Sequence, residues 1–208
     1  MKTIMKSMIC ATLFLFGIFF QTASAENYCT EDPAYTPDMP EYHVQLGDTW
    51  YGQGEYAKAI AAYEDAIAID PEYAGAYVSL GIAYAAEGRL DLALASYTRA
   101  IELDPEYAQP YAARARIHET MRALEDAEAD WDAYVRWYGQ YPVPYLDRGD
   151  FHMRQGAYEA ALADYQTVAE KEPALAAAYL KAADALISLG RVDEAEAMAA
   201  QAIRASGQ

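Results

Sequence analysis

The string Asp-Pro-Glu-Tyr occurs at residues 70–73 and again at 104–107, a spacing of 34 residues. Extended without insertion, that period cuts the chain into five frames starting at Pro40, Ala74, Ala108, Pro142 and Ala176, the last one residue short. A fixed period of this length marks a repeat architecture, in which no unit buries its apolar face alone and the core exists only as a stack. The frames also share residues by position. Position four reads His43, Tyr77, Tyr111, Tyr145, Tyr179, and position eight reads Gly47, Gly81, Ala115, Gly149, Ala183. Position twenty is always alanine (Ala59, Ala93, Ala127, Ala161, Ala195). Position twenty-four reads Tyr63, Tyr97, Trp131, Tyr165, Ala199, and position thirty-two reads Pro71, Pro105, Gly139, Pro173, Gly207.

Each frame holds two stretches with apolar residues at helical spacing, for example 41–53 and 57–69. Between them stands Gly54, Gly88, Gly156 or Gly190 at position fifteen, where a turn with φ > 0 suits glycine alone. Pro or Gly near the frame's end stops the second helix. Small residues at positions eight and twenty let the paired helices approach, and the tyrosines at four and twenty-four fill the space beside them, each with a hydroxyl that can reach the solvated edge. Thirteen of the nineteen tyrosines occupy positions four, eleven, seventeen, twenty-four or thirty-four, so the high tyrosine content reports packing first.

Over residues 40–208 this pattern resembles the tetratricopeptide repeat (TPR) family: a large residue, Leu-Gly, an aromatic, Ala-x3-aromatic and Pro on the same period. The resemblance implies an all-α fold, a right-handed superhelical solenoid of five helix-turn-helix repeats (40–73, 74–107, 108–141, 142–175 and 176–208). Two frames depart from the pattern. The third has Arg122 for the turn glycine, Arg114 at the usual leucine place, bulky Tyr134 and Trp137, and Gly139 for proline. An arginine at φ > 0 costs roughly 1 kcal/mol, so an altered turn is expected there. The frame is either a degenerate repeat with bulkier packing or a local bend that shapes a ligand site. In the fifth frame Ala199, Ala202 and Ala205 replace bulky residues; the last helix either caps the stack itself or pairs with another chain.

The first 25 residues read as an export signal: Lys2 and Lys6, an apolar stretch over 9–20, and Ala23-Ser24-Ala25 before a cleavage point between Ala25 and Glu26. The apolar stretch is too short for a stable membrane span. An uncleaved anchor is the competing reading. Glu26-Asn27-Tyr28 before Cys29 does not suit lipid attachment. Residues 26–39 read as a flexible acidic leader. Cleavage leaves 13 basic against 32 acidic residues, a net charge of −19 rather than −17, and Cys29 as the remaining thiol. One cysteine closes no intramolecular disulfide; it is an inert thiol or an intermolecular link. The acidity argues against nucleic acid and anionic membrane surfaces as partners. Periplasmic location is expected, with secretion as the alternative.

No residue cluster announces chemistry. His43, His118 and His152 occupy aromatic positions of the repeat and read as packing residues, and no Cys/His pair has metal-ligand spacing. No nucleophile elbow or phosphate loop is present, and the carboxylates are spread over helix faces. Arg148-Gly149-Asp150 falls inside a helix and is not read as an adhesion motif. Neither a cofactor nor catalysis is expected.

What remains is a surface. The family resemblance implies a concave groove lined by the first helix of each repeat at positions two, five, nine, twelve and thirteen. The first frame contributes Val44, Asp48 and Tyr51, and the second Val78 and Ile82. The third contributes Gln109, Arg116 and Glu119, the fourth Leu146, Asp150, Met153 and Arg154, and the fifth Leu180, Asp184 and Ile187. Exposed apolar residues with arginines set among acids would suit an amphipathic helix or an extended peptide; alternatively some of them pack between neighbouring helices. The family's carboxylate-gripping Lys and Asn are replaced here by Val44, Asp48 and Ser79, so that activity is not transferred. The leading expectation is a non-enzymatic, exported scaffold that binds a protein or peptide in its groove. A self-assembling, homo-oligomeric envelope component and a carbohydrate- or peptidoglycan-binding module are the alternatives.

Overall fold

A computed structural model describes residues 36–207. The signal segment with its Ala25 and Glu26 junction, Cys29 and the leader up to residue 35 lie outside the described residues. Ten helices and no strand occur among the described residues: α1 Pro40–Gly52, α2 Tyr56–Ile69, α3 Ala74–Ala86, α4 Leu90–Leu103, α5 Ala108–Thr120, α6 Leu124–Tyr138, α7 Val143–Gln155, α8 Tyr158–Lys171, α9 Ala176–Ser188 and α10 Val192–Ala205. Short turns fold them into hairpins, α1 with α2 through α9 with α10, and each second helix packs on the first helix of the next hairpin. First helices also meet directly, α1 on α3 and α3 on α5.

Small-against-large pairing sets how closely each hairpin closes. A Cβ placed on Gly81 would lie 2.5 Å from Cε1 of Tyr97, and one on Gly149 would lie 2.7 Å from Cε1 of Tyr165. Gly47 meets Tyr63 in the same way. The three rings are buried to within 2% exposure, so they have no room to retreat and position eight must stay small. In the third hairpin Ala115 and Trp131, both buried, take the places of this pair.

The turn that closes each hairpin is built alike, including the one without glycine. Gly54, Gly88, Gly156 and Gly190 have φ of 78°, 77°, 76° and 76°. Arg122 adopts φ 62°, so the altered turn expected from its sequence does not occur. The reason lies in the hydrogen bonds: Ala123 N–H reaches the His118 carbonyl at 2.9 Å, as Arg89 N–H reaches that of Tyr84 and Arg191 N–H that of Leu186. Satisfying the helix-end carbonyls and keeping α6 packed on α5 outweigh about 1 kcal/mol of left-handed strain. Arg122→Gly should therefore stabilise the protein by up to about 1 kcal/mol, read as a raised urea midpoint with unchanged slope.

Proline placement explains a second irregularity. Before Pro71 and Pro105 the backbone is forced extended, at Asp70 (φ −130°, ψ 96°) and Asp104 (φ −137°, ψ 92°). Gly139 exerts no such force, so α6 continues through Tyr138 and Gly139 itself is near-helical (φ −68°). At the other end, residues 36–39 of the leader are turned, with Met39 N–H on the Thr36 carbonyl at 2.9 Å and His43 Nε2 donating to the Pro37 carbonyl at 2.9 Å. Tyr77 and Tyr111, at the same repeat position as His43, donate to the carbonyls of Pro71 and Pro105.

The middle of the stack is polar inside. Arg114 forks onto Asp130 at 2.8 and 2.7 Å and reaches Thr98 of the preceding hairpin at 3.0 Å. Arg148 repeats the arrangement on Asp164 at 3.0 and 2.7 Å and reaches Asp132 at 2.7 Å. Both aspartates are 4% exposed, and their hydrogen bonds hold the two guanidiniums above the usual arginine range. His118 and His152 close these clusters, with Nε2 at 3.7 and 3.8 Å from Asp130 and Asp164.

Candidate functional site

The residues placed by sequence on one helical face have different fates, because the face is covered by neighbours to different depths along the stack. Val78 is 2% exposed and belongs to the core, which corrects its assignment to an open groove. It belongs to the buried cluster that Tyr63, Leu80, Tyr84 and Tyr97 share, against which Val44 and Tyr51 of α1 pack. Val44 and Ile82 are half-buried against the same cluster, and Leu146 and Met153 against the cluster of the last two hairpins. Tyr51 packs on Tyr56 with ring centroids 5.3 Å apart. Leu180 and Ile187 are open, at 51% and 59% exposure.

The polar candidates are largely engaged within the chain. Tyr63 Oη donates to Asp48 and Tyr165 Oη to Asp150, each at 2.7 Å. The Trp131 indole donates to Glu119 at 2.9 Å. The ring bodies are buried while their donors meet part-buried or exposed carboxylates of the first helices, because a polar atom at the edge of a buried ring needs an acceptor. Burial, reinforced by the adjacent aspartate, pushes the Tyr63 and Tyr165 hydroxyls far up from the usual tyrosine range. Lys181 also binds Asp150 at 2.7 Å, Arg154 binds Glu119 at 2.8 Å, and Arg116 reaches Asp147 at 3.1 Å. Burial raises Asp147, opposed chiefly by Arg116. Gln109 accepts from Tyr107 at 3.1 Å, and the Asp184 carbonyl accepts from Ser188. On the face from α5 to α9 three ion pairs thus join successive first helices, while Leu180, Asp184 and Ile187 on α9 stay exposed.

Toward the N-terminal side it opens. A cavity of about 910 Å³ lies between α3 and α5, with Ile82, Ala85, Ala112, Ala113 and Ile117 along those helices. Tyr97 of α4 stands in its wall with Tyr107, Tyr134 and Tyr138, and Asp104, Glu106, Gln109 and Arg116 border it. Burial pushes the Tyr97 hydroxyl up to about 12 and also raises those of Tyr107 and Tyr134. Three sequence-derived candidates, Ile82, Gln109 and Arg116, meet here. The tyrosines were not among the candidates. Tyr97 and Tyr107 occupy ordinary packing positions; Tyr134 and Tyr138 fall outside the repeated tyrosine places, which was the available signal.

Arg148-Gly149-Asp150 lies within α7, its glycine buried and its charges bound to Asp164 and Lys181. Among the described residues no group of three or more His, Cys, Asp and Glu side chains is placed to hold a metal, and no helix is long and apolar enough to cross a membrane.

The family described as "Tetratricopeptide repeat" matches residues 20–74, 44–108 and 78–142 through one profile and 152–208 through another. No curated protein matches the chain. Among solved structures, a crystal structure of MamA protein superposes with a TM-score of 0.71 at 20% identity, over 83% of this chain and 94% of that one. A form of MamA from Desulfovibrio magneticus RS-1 gives 0.67 at 11% identity, over 80% and 94%. YrrB, a TPR protein with an unusual peptide-binding site, gives 0.64 at 18% identity, over 90% and 95%. At these identities the likeness is one of fold, an all-α solenoid of paired helices.

Proposed function

The chain belongs to the tetratricopeptide repeat family, whose members serve in general as non-enzymatic protein-interaction scaffolds, and from that premise we propose that it holds a peptide segment of a partner protein in its first-helix groove. The observation that carries this reading is the cavity between α3 and α5, large enough for several side chains and walled by apolar and aromatic groups. A peptide-binding site in YrrB, a protein of the same fold, agrees with it. The signal-like N-terminus supports work in the bacterial periplasm on the mature chain from Glu26.

Affinity capture from a periplasmic extract tests the scaffold reading. Wild-type protein should retain a partner that a folded Ile82→Asp, Arg116→Ala, Arg154→Ala variant loses, and the bait recovered from that compartment should begin at Glu26. Retention of the same partner by the variant would remove the groove assignment, and a bait that still begins at Met1 would remove the cleavage after Ala25 in favour of an uncleaved anchor.

A further inference from the structure

Repeat position twenty-four is occupied by an aromatic with a polar atom in four hairpins. In three of them the chain itself uses that atom: Tyr63 on Asp48, Trp131 on Glu119 and Tyr165 on Asp150. In the second hairpin position nine is Ile82 instead of an acid, and the Tyr97 hydroxyl makes no hydrogen bond to a described residue. Tyr134 and Tyr138, in the same cavity wall, make none either. The cavity therefore presents phenolic donors without acceptors. Carboxylates stand only at its border, where Asp104 and Glu106 are exposed and carry no ion pair with a described residue, while the neighbouring Arg116 is bound to Asp147.

These features select among peptide conformations. A helical ligand has spent its carbonyls on its own N–H groups and offers little to Tyr97. A strand needs a sheet edge, and no strand occurs among the described residues. A polyproline-type segment is different: its carbonyls are free, its prolines lack N–H groups that this cavity could not satisfy, and its rings pack on aromatic faces. The border carboxylates and the chain's net charge of −17 favour basic flanks and repel acidic ones.

We propose that the cavity between α3 and α5 binds an extended, proline-bearing segment with basic flanks. Its prolines lie among Tyr97, Tyr134 and Tyr138, a main-chain carbonyl accepts from Tyr97 Oη, and a lysine or arginine meets Asp104 and Glu106. This deepens the groove reading and rests on it.

The test is calorimetric titration of the full mature chain with capped synthetic peptides of equal length built from Pro-Pro-Lys, Pro-Pro-Glu or Ala-Ala-Lys triplets, and with a soluble peptidoglycan fragment. The Pro-Pro-Lys peptide should bind at least tenfold tighter than each of the others. Tyr97→Phe, which removes a hydroxyl with no internal bond and so leaves the thermal midpoint in place, should weaken it by roughly threefold to tenfold, the span of one net hydrogen bond. Asp104→Asn with Glu106→Gln should weaken it further and flatten its salt dependence. Equal affinity for the acidic or helix-forming peptide, preference for the peptidoglycan fragment, or an unchanged Tyr97→Phe variant would overturn the proposal. A partner captured by wild type and lost by Ile82→Asp, but not displaced by the Pro-Pro-Lys peptide, would overturn it while leaving the groove reading in place.

Discussion

Arg114→Leu should destabilise the protein by about 3–5 kcal/mol, the range for stripping one member from a buried ion pair. The substitution leaves Asp130, 4% exposed, without the two guanidinium bonds that satisfy it, and His118 at 3.7 Å is beyond hydrogen-bonding reach. The second hairpin supplies the control. It carries Leu80 and Ser96 at the places of Arg114 and Asp130, and the Ser96 hydroxyl is satisfied by the Leu92 carbonyl one turn back, at 2.9 Å. Arg114→Leu combined with Asp130→Ser should therefore return stability to within about 1 kcal/mol of wild type, or above it, because a neutral pair whose hydroxyl is satisfied by its own helix replaces a buried charged one with little loss. Urea unfolding followed by circular dichroism reads both. A single variant that loses less than about 1 kcal/mol would mean that water reaches Asp130 and that the pair contributes as a surface pair does.

The same comparison shows what the sequence made legible. Reading positions seven and twenty-three together across the frames gives Leu46 with Ala62, Leu80 with Ser96, Arg114 with Asp130, Arg148 with Asp164, and Ala182 with Met198. The charges enter and leave together, so the buried pairs were visible in one chain, although Arg114 taken alone looked like a defect. The period, the helix limits and the glycine turns were visible because each rests on local chemistry: proline, glycine and the spacing of alanines. Arg122 was misjudged because the turn is decided by the helices on either side of it, and their packing exceeds a local strain. Val78 was misplaced for a related reason. Helical periodicity shows which residues share a face, but burial of that face depends on how near the next hairpin lies. The cavity was the least visible part. It is made by residues from two hairpins and the loop between them, and its most distinctive member, Tyr97, sits at a packing position; what sets it apart is the identity of residue 82, a full helix away.

Trp131→Ala should cost about 3–5 kcal/mol, the range for emptying a buried tryptophan site. At 1% exposure Trp131 is the largest fully buried side chain, and it holds Tyr134 at a centroid distance of 6.1 Å, next to the candidate cavity. Trp131→Tyr is the sharper experiment, because tyrosine is what three other hairpins use. In the first and fourth hairpins that tyrosine donates to an aspartate at position nine, but in the third, position nine is Arg116, which accepts nothing. The acid has moved to Glu119 at position twelve, about one helical turn along α5, and the indole N–H meets it there at 2.9 Å. Tyrosine at 131 would aim its hydroxyl at a cation and release Glu119, which also anchors Arg154. The expected result is a loss of about 1–3 kcal/mol, with a buried donor unsatisfied. Adding Arg116→Asp to recreate the Asp48 and Tyr63 pairing should recover most of that loss. If the double variant is no more stable than Trp131→Tyr alone, ring volume decides this position, and the pairing of ring donor with first-helix acid seen in the first and fourth hairpins is incidental to it.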